Sequence, residues 1–344
     1  MLLTFTKKLI NSILYLLIKV FFMVSLSNVF SSKKAFFAFF ALAVFIAGSL
    51  LLAGCATPAT DNSGQGKIKV AVDIYPYEFL VKQIGGDKVG VSRLFPDGVE
   101  PHTYEPSPQD IVSVQQSDIF IYNGQALNSF ESQIVKDLPS GTVVVSASDG
   151  LGLIAAGSSD GEASTGSNGI SYNPHIWLDP QNMIIISRHI ESALENASPS
   201  DAQYFKANEA ALVSRLESLD SSLSRESASF SKRQYVGFHP AFNYFNRRYN
   251  LSYAANIEEI AGIEPSAQEM AGIIDIVRAN NISAIYAEPL FDPRSAEAIS
   301  KNSGAQVLYL DPLASLLPEK KQQGMDYFSI MRENMDSLAK SLGD

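Results

Sequence analysis

The chain has 344 residues, of which 46% are hydrophobic and 18% charged, and its formal net charge is −10. This length predicts about two domains, and the apolar content excludes a disordered or low-complexity protein. A single cysteine excludes an internal disulfide and a cysteine-rich zinc site. The acidic balance argues against nucleic acid as a partner.

The first 54 residues differ sharply from the rest of the chain. They contain five lysines and no arginine, aspartate or glutamate, which leaves a charge of −15 on residues 55–344. Lys33 and Lys34 precede a long apolar run that ends in small residues, the order found in a secretory signal peptide. We therefore predict an export segment over residues 1–54, followed by an exported, acidic body.

The only cysteine, Cys55, directly follows the sequence Leu-Ala-Gly at the end of the apolar run. This order is that of the lipobox of bacterial lipoproteins, in which the cysteine carries lipid on its sulfur. A buried cysteine at the end of a membrane helix is the alternative. The polar residues that follow, with Pro, Gly and Ser among them, predict a flexible tether over residues 55–67. We expect Cys55 to anchor an extracytoplasmic protein to a membrane.

A second apolar stretch covers residues 9–30 and is interrupted by Lys19. It is either an additional membrane segment or a region upstream of the true start at Met23. A start at Met23 gives a signal of ordinary length, and we favour it. Both interpretations leave the exported body unchanged.

Short β-branched segments and helical segments alternate through the body. The predicted strands cover residues 67–74, 88–95, 118–122, 142–146, 235–238, 251–255, 283–287 and 306–310. The predicted helices cover residues 75–84, 108–116, 127–138, 184–194, 198–229, 265–279, 294–302 and the region from 324 onward. This alternation predicts an α/β fold, with parallel sheets that carry helices on both faces.

Two segments break the alternation. Residues 149–173 are rich in Gly, Ser and Ala, and we expect a mobile surface loop there. Residues 198–229 form the longest helical pattern, with one leucine stripe, and such a helix would span roughly 40 Å. It is either a rigid connector between two α/β regions or a helix packed within one of them, and its periodicity fits both.

Three of the four histidines share a context of strand ends, loops and neighbouring prolines. They are His102 in EPHTYEP, His175 in NPHIWLDP and His239 in GFHPAF, whereas His189 lies in a helical pattern and is interpreted as structural. In open α/β sheets, the loops after the strands converge on the ligand crevice. Three imidazoles suit a borderline divalent ion such as Zn²⁺, with a carboxylate as the fourth ligand.

Two carboxylates are candidates for that fourth position. Asp311 follows a predicted strand in YLDPL and repeats the pattern of strand, polar residue and proline. Glu288 in YAEPL is the rival, and its alternative role is that of a structural carboxylate at a strand end. We rank Asp311 first.

At these residues the chain resembles the zinc/manganese substrate-binding lipoproteins of ABC importers, the ZnuA/TroA-like family. The matching segments cover residues 74–87, 98–110, 173–182, 237–245, 264–269, 287–299 and 307–313. Their order along essentially the whole body makes the resemblance specific, although no single segment would suffice.

The resemblance implies two α/β lobes, joined by one long rigid helix, with the metal held between them. It places the first lobe at residues 68–198, the linker at 199–230 and the second lobe at 231–344. The implied ligands are His102 and His175 from the first lobe and His239 and Asp311 from the second. A histidine at the third ligand position favours Zn²⁺, with Mn²⁺ as the alternative, because Mn²⁺ prefers carboxylate oxygen.

The resemblance also implies function and partners. A monomeric protein would capture the ion and deliver it to an ABC permease and its ATPase. One departure from the family concerns residues 149–173, which contain no histidine, so that we expect no metal-gathering role for this loop.

Two other functions compete with transport. A zinc-dependent hydrolase could use Glu105 or Glu288 as a base, but four protein ligands would leave no position for water. The chain also lacks an HExxH motif, and no GxSxG elbow joins a predicted strand to a predicted helix. The second competitor is a surface adhesion lipoprotein, in which the ligand set would be incidental. We predict a binding protein and not an enzyme.

Overall fold

The structure is a computed structural model that describes residues 66–125, 127, 130–156 and 171–343. Lys67–Asp344 group into one compact unit. The export segment, Cys55 and most of the tether lie outside the described residues. Among the residues described, no helix is both long enough and apolar enough to cross a membrane.

The first sheet has four parallel strands in the order β2-β1-β3-β4. Its strands are β1 (Ile68–Val72), β2 (Val89–Arg93), β3 (Ile119–Tyr122) and β4 (Val143–Ser146). The helices that alternate with them are α1 (Tyr75–Gly85), α2 (Pro108–Gln115) and α3 (Glu131–Lys136). The inner strands β1 and β3 are largely buried, as expected for runs of β-branched residues covered by helices.

The second sheet repeats this arrangement, with four parallel strands in the order β6-β5-β7-β8. Its strands are β5 (Gln234–Gly237), β6 (Ser252–Asn256), β7 (Ala284–Ala287) and β8 (Gln306–Tyr309). Its helices are α6 (Asn243–Tyr249), α7 (Ala267–Ala279), α8 (Arg294–Ser303), α9 (Pro318–Gln322) and α10 (Tyr327–Leu342). In both sheets the strand order reverses beside the first strand, where ligands of open α/β sheets bind.

Two helices follow the first sheet in the chain, α4 (Pro180–Ala197) and the longer α5 (Ala202–Ala228), which leads to β5. The 27 residues of α5 span roughly 40 Å. Its predicted leucine stripe is buried, with Leu212, Leu216, Leu219 and Leu223 each at most 2% exposed. Helix α5 packs against α4 and α1, which precede it in the chain. It also packs against α6 and α10, which belong to the second sheet. The predicted fold class, two parallel α/β lobes joined by one long helix, is confirmed.

Several predicted helix starts differ from the structure, and two of these differences have a clear local reason. The long helix begins at Ala202 and not at 198, because Ser198 precedes a proline and adopts φ −141°, ψ 83°. Helix α3 begins at Glu131 and not at 127. The carbonyl oxygen of Leu127 lies 2.9 Å from Nδ1 of His102, so that a tertiary contact occupies this group.

Asp220 on α5 connects three helices through one buried carboxylate. It accepts hydrogen bonds from Gln181 of α4 at 2.9 Å, from Arg248 of α6 at 2.8 Å, and from the Tyr249 hydroxyl at 3.1 Å. Burial alone would raise the pKa of Asp220, but the hydrogen bonds and charge of Arg248 hold that pKa below its usual 3.8. The linker is thereby fixed to elements on both sides of it.

We expect Asp220→Asn to lower the free energy of unfolding by about 1.5–3 kcal/mol at pH 7, because hydrogen bonds to a charged group are lost. A lowered folded-state pKa means that this contribution is complete above the unfolded pKa of about 3.9 and disappears as the pH falls through the folded pKa. Urea denaturation at pH 7 and pH 3 measures both effects. Asp275→Asn, an exposed change on α7, serves as the control and should have little effect; an equal loss at both pH values for Asp220→Asn would contradict the assignment.

Candidate metal centre

Three buried histidine side chains meet at one point between the two sheets. Nε2 of His175 lies 3.1 Å from Nε2 of His102 and 3.1 Å from Nε2 of His239. One ring nitrogen from each residue lies within 4.8 Å of the other two. Tetrahedral Zn–N bonds of about 2.0–2.1 Å would place ligand nitrogens roughly 3.3 Å apart, close to these separations. The donor set therefore fits a zinc ion.

Each histidine comes from a different part of the fold. His102 lies in the proline-rich segment between β2 and α2, and His239 follows β5. His175 lies just before the turn that leads into α4, and the preceding residue is held by Asn123, whose side-chain amide donates to the Pro174 carbonyl at 2.9 Å. Asn123 follows β3, so the carboxyl end of a strand in the first sheet positions this histidine.

The far ring nitrogens, Nδ1, have partners that direct Nε2 toward the centre. Nδ1 of His102 donates to the Leu127 carbonyl oxygen at 2.9 Å, since a carbonyl oxygen can only accept. Nδ1 of His175 lies 3.2 Å from Oδ1 of Asn173, and Nδ1 of His239 lies 2.8 Å from Oε1 of Glu288. A histidine that donates through Nδ1 presents the Nε2 lone pair that a metal needs.

Asn173 makes hydrogen bonds to His175 and to the segment that carries His239. Its side-chain nitrogen donates to the Pro240 carbonyl at 2.8 Å, which identifies its oxygen as the acceptor for the backbone and ring nitrogens of His175. The Tyr244 hydroxyl donates to the Asn173 carbonyl at 3.0 Å. Asn173 is 1% exposed, so the predicted surface loop over 149–173 is wrong at this end. Residues 157–170 lie outside the described part.

The electrostatic environment favours a cation. Burial, followed by the neighbouring His239 and His102, holds the pKa of His175 well below 6.5, which keeps this ring neutral and able to ligate. Burial raises the pKa of Glu100, whose Oε1 lies 4.0 Å from Nε2 of His102. Burial also raises the pKa of Glu258 to about 7. Buried carboxyl groups near neutral imidazoles would be stabilised in their charged form by a divalent ion.

Asp311 lies outside the three-histidine cluster. It follows β8 and is 6% exposed, and its Oδ1 accepts a hydrogen bond from the Leu313 backbone at 2.8 Å. Its Oδ2 lies 3.0 Å from Nζ of Lys320, which also pairs with Glu333 at 2.6 Å. The carboxylate predicted as fourth ligand is thus held by an ammonium group in this structure.

The other residues considered from the sequence lie outside the three-histidine cluster. Glu288 contacts His239 from the side of the ring opposite Nε2. Glu105 is exposed and His189 lies on α4, and neither belongs to the cluster. Sequence analysis did not single out Asn173, Glu100 or Glu258. Only Glu100 had a sequence signal that could have pointed to the site, because it stands two residues before the predicted ligand His102.

Comparison with known proteins identifies the family. The family described as "Zinc-uptake complex component A periplasmic" matches residues 70–341. Zinc-binding protein AdcA of Streptococcus pyogenes is 31% identical over 319 residues, which are 89% of this chain and 61% of AdcA. The chain therefore spans about three fifths of the length of such streptococcal relatives. The high-affinity zinc uptake system protein ZnuA of Bacillus subtilis is 30% identical over 312 residues, 88% of this chain and 97% of the relative.

Solved structures share the fold. The Zn(II)-bound ZnuA-like domain of Streptococcus pneumoniae AdcA aligns with a TM-score of 0.69 at 29% identity, covering 81% of this chain and 100% of that domain. The SBP FpvC from Pseudomonas aeruginosa, in complex with Mn²⁺, aligns with a TM-score of 0.68 at 27% identity, covering 80% of this chain and 98% of that protein. From its sequence match over residues 70–341 and its similarity to a ZnuA of comparable length, the chain belongs to the ZnuA family.

Proposed function

We propose that this protein captures Zn²⁺ outside the cytoplasm and delivers it to an ABC-type importer. The observation that carries the proposal is the convergence of the Nε2 atoms of His102, His175 and His239, at separations of 3.1 Å, in a buried position between two sheets. Neutral imidazole nitrogens this close together repel one another unless a proton or a cation lies between them. A zinc ion accounts for both their spacing and their orientation.

Zinc is favoured over manganese by the type of ligand. Imidazole nitrogen suits Zn²⁺, whereas Mn²⁺ prefers carboxylate and water oxygens. The named zinc-binding relatives support this choice, and the manganese-bound FpvC keeps Mn²⁺ as the alternative to be tested.

The proposed ligand set is His102, His175, His239 and Asp311, two from each lobe. Ligation by Asp311 requires its carboxylate to turn away from Lys320, which retains Glu333 as a second partner. We retain the division into lobes at 68–198 and 231–344 with a linker at 199–230 as part of this proposal. A single ion would then join the lobes through ligands from both.

The site is better suited to holding an ion than to catalysis. Four protein ligands would complete a tetrahedral zinc site and leave no open position for a reacting water. Of the two bases considered, Glu105 is exposed and Glu288 lies against a histidine ring. We therefore propose a binding role and not hydrolysis.

Delivery to a permease depends on where the protein is held. Lipid on Cys55 would hold the protein on the extracytoplasmic face of the membrane, near the permease that works with the ATPase. Residues 55–67 would act as the tether. The fixed linker limits the relative motion of the lobes, so that small shifts would control release. We propose that the protein acts as a monomer.

Metal analysis tests the binding site. We expect the protein purified without added metal to hold one Zn²⁺, and His239→Ala to weaken zinc binding by more than ~100-fold, because a direct ligand is lost. Elemental analysis and a competition titration measure both quantities. His189→Ala removes a histidine outside the cluster and should retain the metal. Failure of the unmodified protein to bind Zn²⁺ or Mn²⁺ would reject the proposal.

Paired variants test the fourth ligand. If Asp311 ligates zinc, Asp311→Asn should weaken zinc binding by about 10–100-fold, since a charged ligand is replaced by a poor one. Lys320→Gln should not weaken it, because removing the competing ammonium frees the carboxylate. A calorimetric titration of both variants distinguishes this role from a structural ion pair. Equal affinity for zinc in Asp311→Asn and the unmodified protein would remove Asp311 from the ligand set.

The anchor is tested by Cys55→Ser. We expect this change to shift the protein from the membrane fraction to the soluble fraction, because the sulfur that carries lipid is absent. Fractionation followed by immunoblotting measures the distribution. A variant that stays fully in the membrane fraction would show that the anchor lies elsewhere.

A further inference from the structure

Glu288 is a buried carboxylate placed directly against one of the three histidines. It follows β7 and is 2% exposed. Its Oε1 lies 2.8 Å from Nδ1 of His239 and 3.4 Å from the backbone nitrogen of the same residue. One oxygen thus touches both the ring and the main chain of His239, which ties the imidazole to the adjacent strand of the second sheet.

Apolar side chains enclose this contact. The ring of Phe291 packs on His239 with centroids 5.6 Å apart and on Phe238 at 5.1 Å. The backbone nitrogen of Phe291 donates to the Glu288 carbonyl at 3.3 Å, which closes the turn after β7. In such a surrounding of low polarity, a carboxylate interacts more strongly with a ring N–H than it would in water.

The acceptor at His239 differs in charge from those at the other two histidines. Nδ1 of His102 faces the carbonyl oxygen of Leu127, and Nδ1 of His175 faces the amide oxygen of Asn173. Both of these oxygens belong to neutral groups, whereas Glu288 supplies a carboxyl group. Burial raises the pKa of Glu288 well above 4.5, and a divalent ion held by the histidines would favour its charged form. A carboxylate behind a ligating imidazole raises the basicity of the ligating nitrogen as well as fixing its tautomer.

The geometry also separates Glu288 from the ligands themselves. Its carboxylate sits at Nδ1, whereas the atom of His239 that faces the other two histidines is Nε2. Within the described residues, the group of mutually close ligand atoms contains the three histidines and not Glu288. Glu288 therefore lies behind the imidazole of His239 and is not a ligand itself.

We propose that Glu288 is a positioning residue that holds His239 in the Nδ1–H tautomer and makes its Nε2 the strongest nitrogen donor of the three. This inference rests on the proposed metal-binding function. Nδ1 of His239 and Oε1 of Glu288 are at hydrogen-bond distance, but the angle between them departs from that of a hydrogen bond. A small rotation of the imidazole would align the N–H with Oε1.

The affinity test compares two buried carboxylates. Glu288→Gln keeps the shape but removes the charge, and we expect zinc binding to weaken by about 10–100-fold, the usual effect of losing such a partner. Asp179→Asn is the matched control. Asp179 is also buried, but its Oδ1 accepts from the Gln181 backbone at 2.9 Å at the start of α4, and it does not belong to the three-histidine cluster. Equal zinc affinities for the two variants would overturn the proposal.

A second measurement reports on the tautomer itself. The chain has only four histidines, so two-bond ¹H–¹⁵N spectra can resolve each imidazole, with His239→Ala giving the assignment. We expect the Nδ1–H pattern for His239 in the unmodified protein and a mixture of tautomers in Glu288→Gln. A purely structural role would lower the melting temperature and leave this pattern unchanged, which would overturn the proposal.

The two measurements separate the new inference from the proposed function. If the unmodified protein bound no zinc, the proposed function would fail, and the spectrum of the metal-free protein would still decide whether Glu288 sets the tautomer of His239. If zinc bound normally and the tautomer did not respond to Glu288→Gln, the metal site would stand and the positioning role would fall.

Discussion

The buried amide of Asn173 joins the two lobes at the point where the histidines meet. Its nitrogen donates to Pro240, next to His239, and its oxygen accepts from the backbone and ring of His175. Both ends of a buried amide must be satisfied, so the group cannot turn over without losing bonds on each side. One side chain therefore links the position of His175 to the segment that carries His239.

Buried contacts elsewhere in the protein limit movement between the elements that carry the histidines. Asp220 fastens α5 to α4 and α6. The indole of Trp177 donates to the Pro312 carbonyl at 2.7 Å, and the Tyr327 hydroxyl donates to the Trp177 carbonyl at 2.8 Å. Such buried contacts between rigid elements favour small, discrete shifts over wide opening. For the proposed function, this rigidity implies that ion release would depend on the proposed ligands and their immediate partners.

Two carboxylates that follow neighbouring strands have different partners. Glu288 follows β7 and contacts His239, whereas Asp311 follows β8 and contacts Lys320. Their order in the sheet explains this difference, because β7 lies beside β5, which carries His239, and β8 lies one strand farther away. Strand order thus places Glu288 beside His239 and leaves Asp311 paired with Lys320, so that the proposed ligation by Asp311 requires a change in that pairing.

Sequence alone determined much of this protein. Strand and helix periodicity gave the α/β alternation, the leucine stripe gave the long helix, and the positions of His102, His175 and His239 after strands or loops identified the candidate ligands. These features are local, because side-chain period and proline context act over a few residues. Tertiary structure decided the rest. The acceptors at Leu127 and Glu288 lie 25 and 49 residues from the histidines that they contact, and Lys320 reaches Asp311 only through the fold. Which donor meets which acceptor depends on how the sheets and α5 pack, and no local pattern records that geometry.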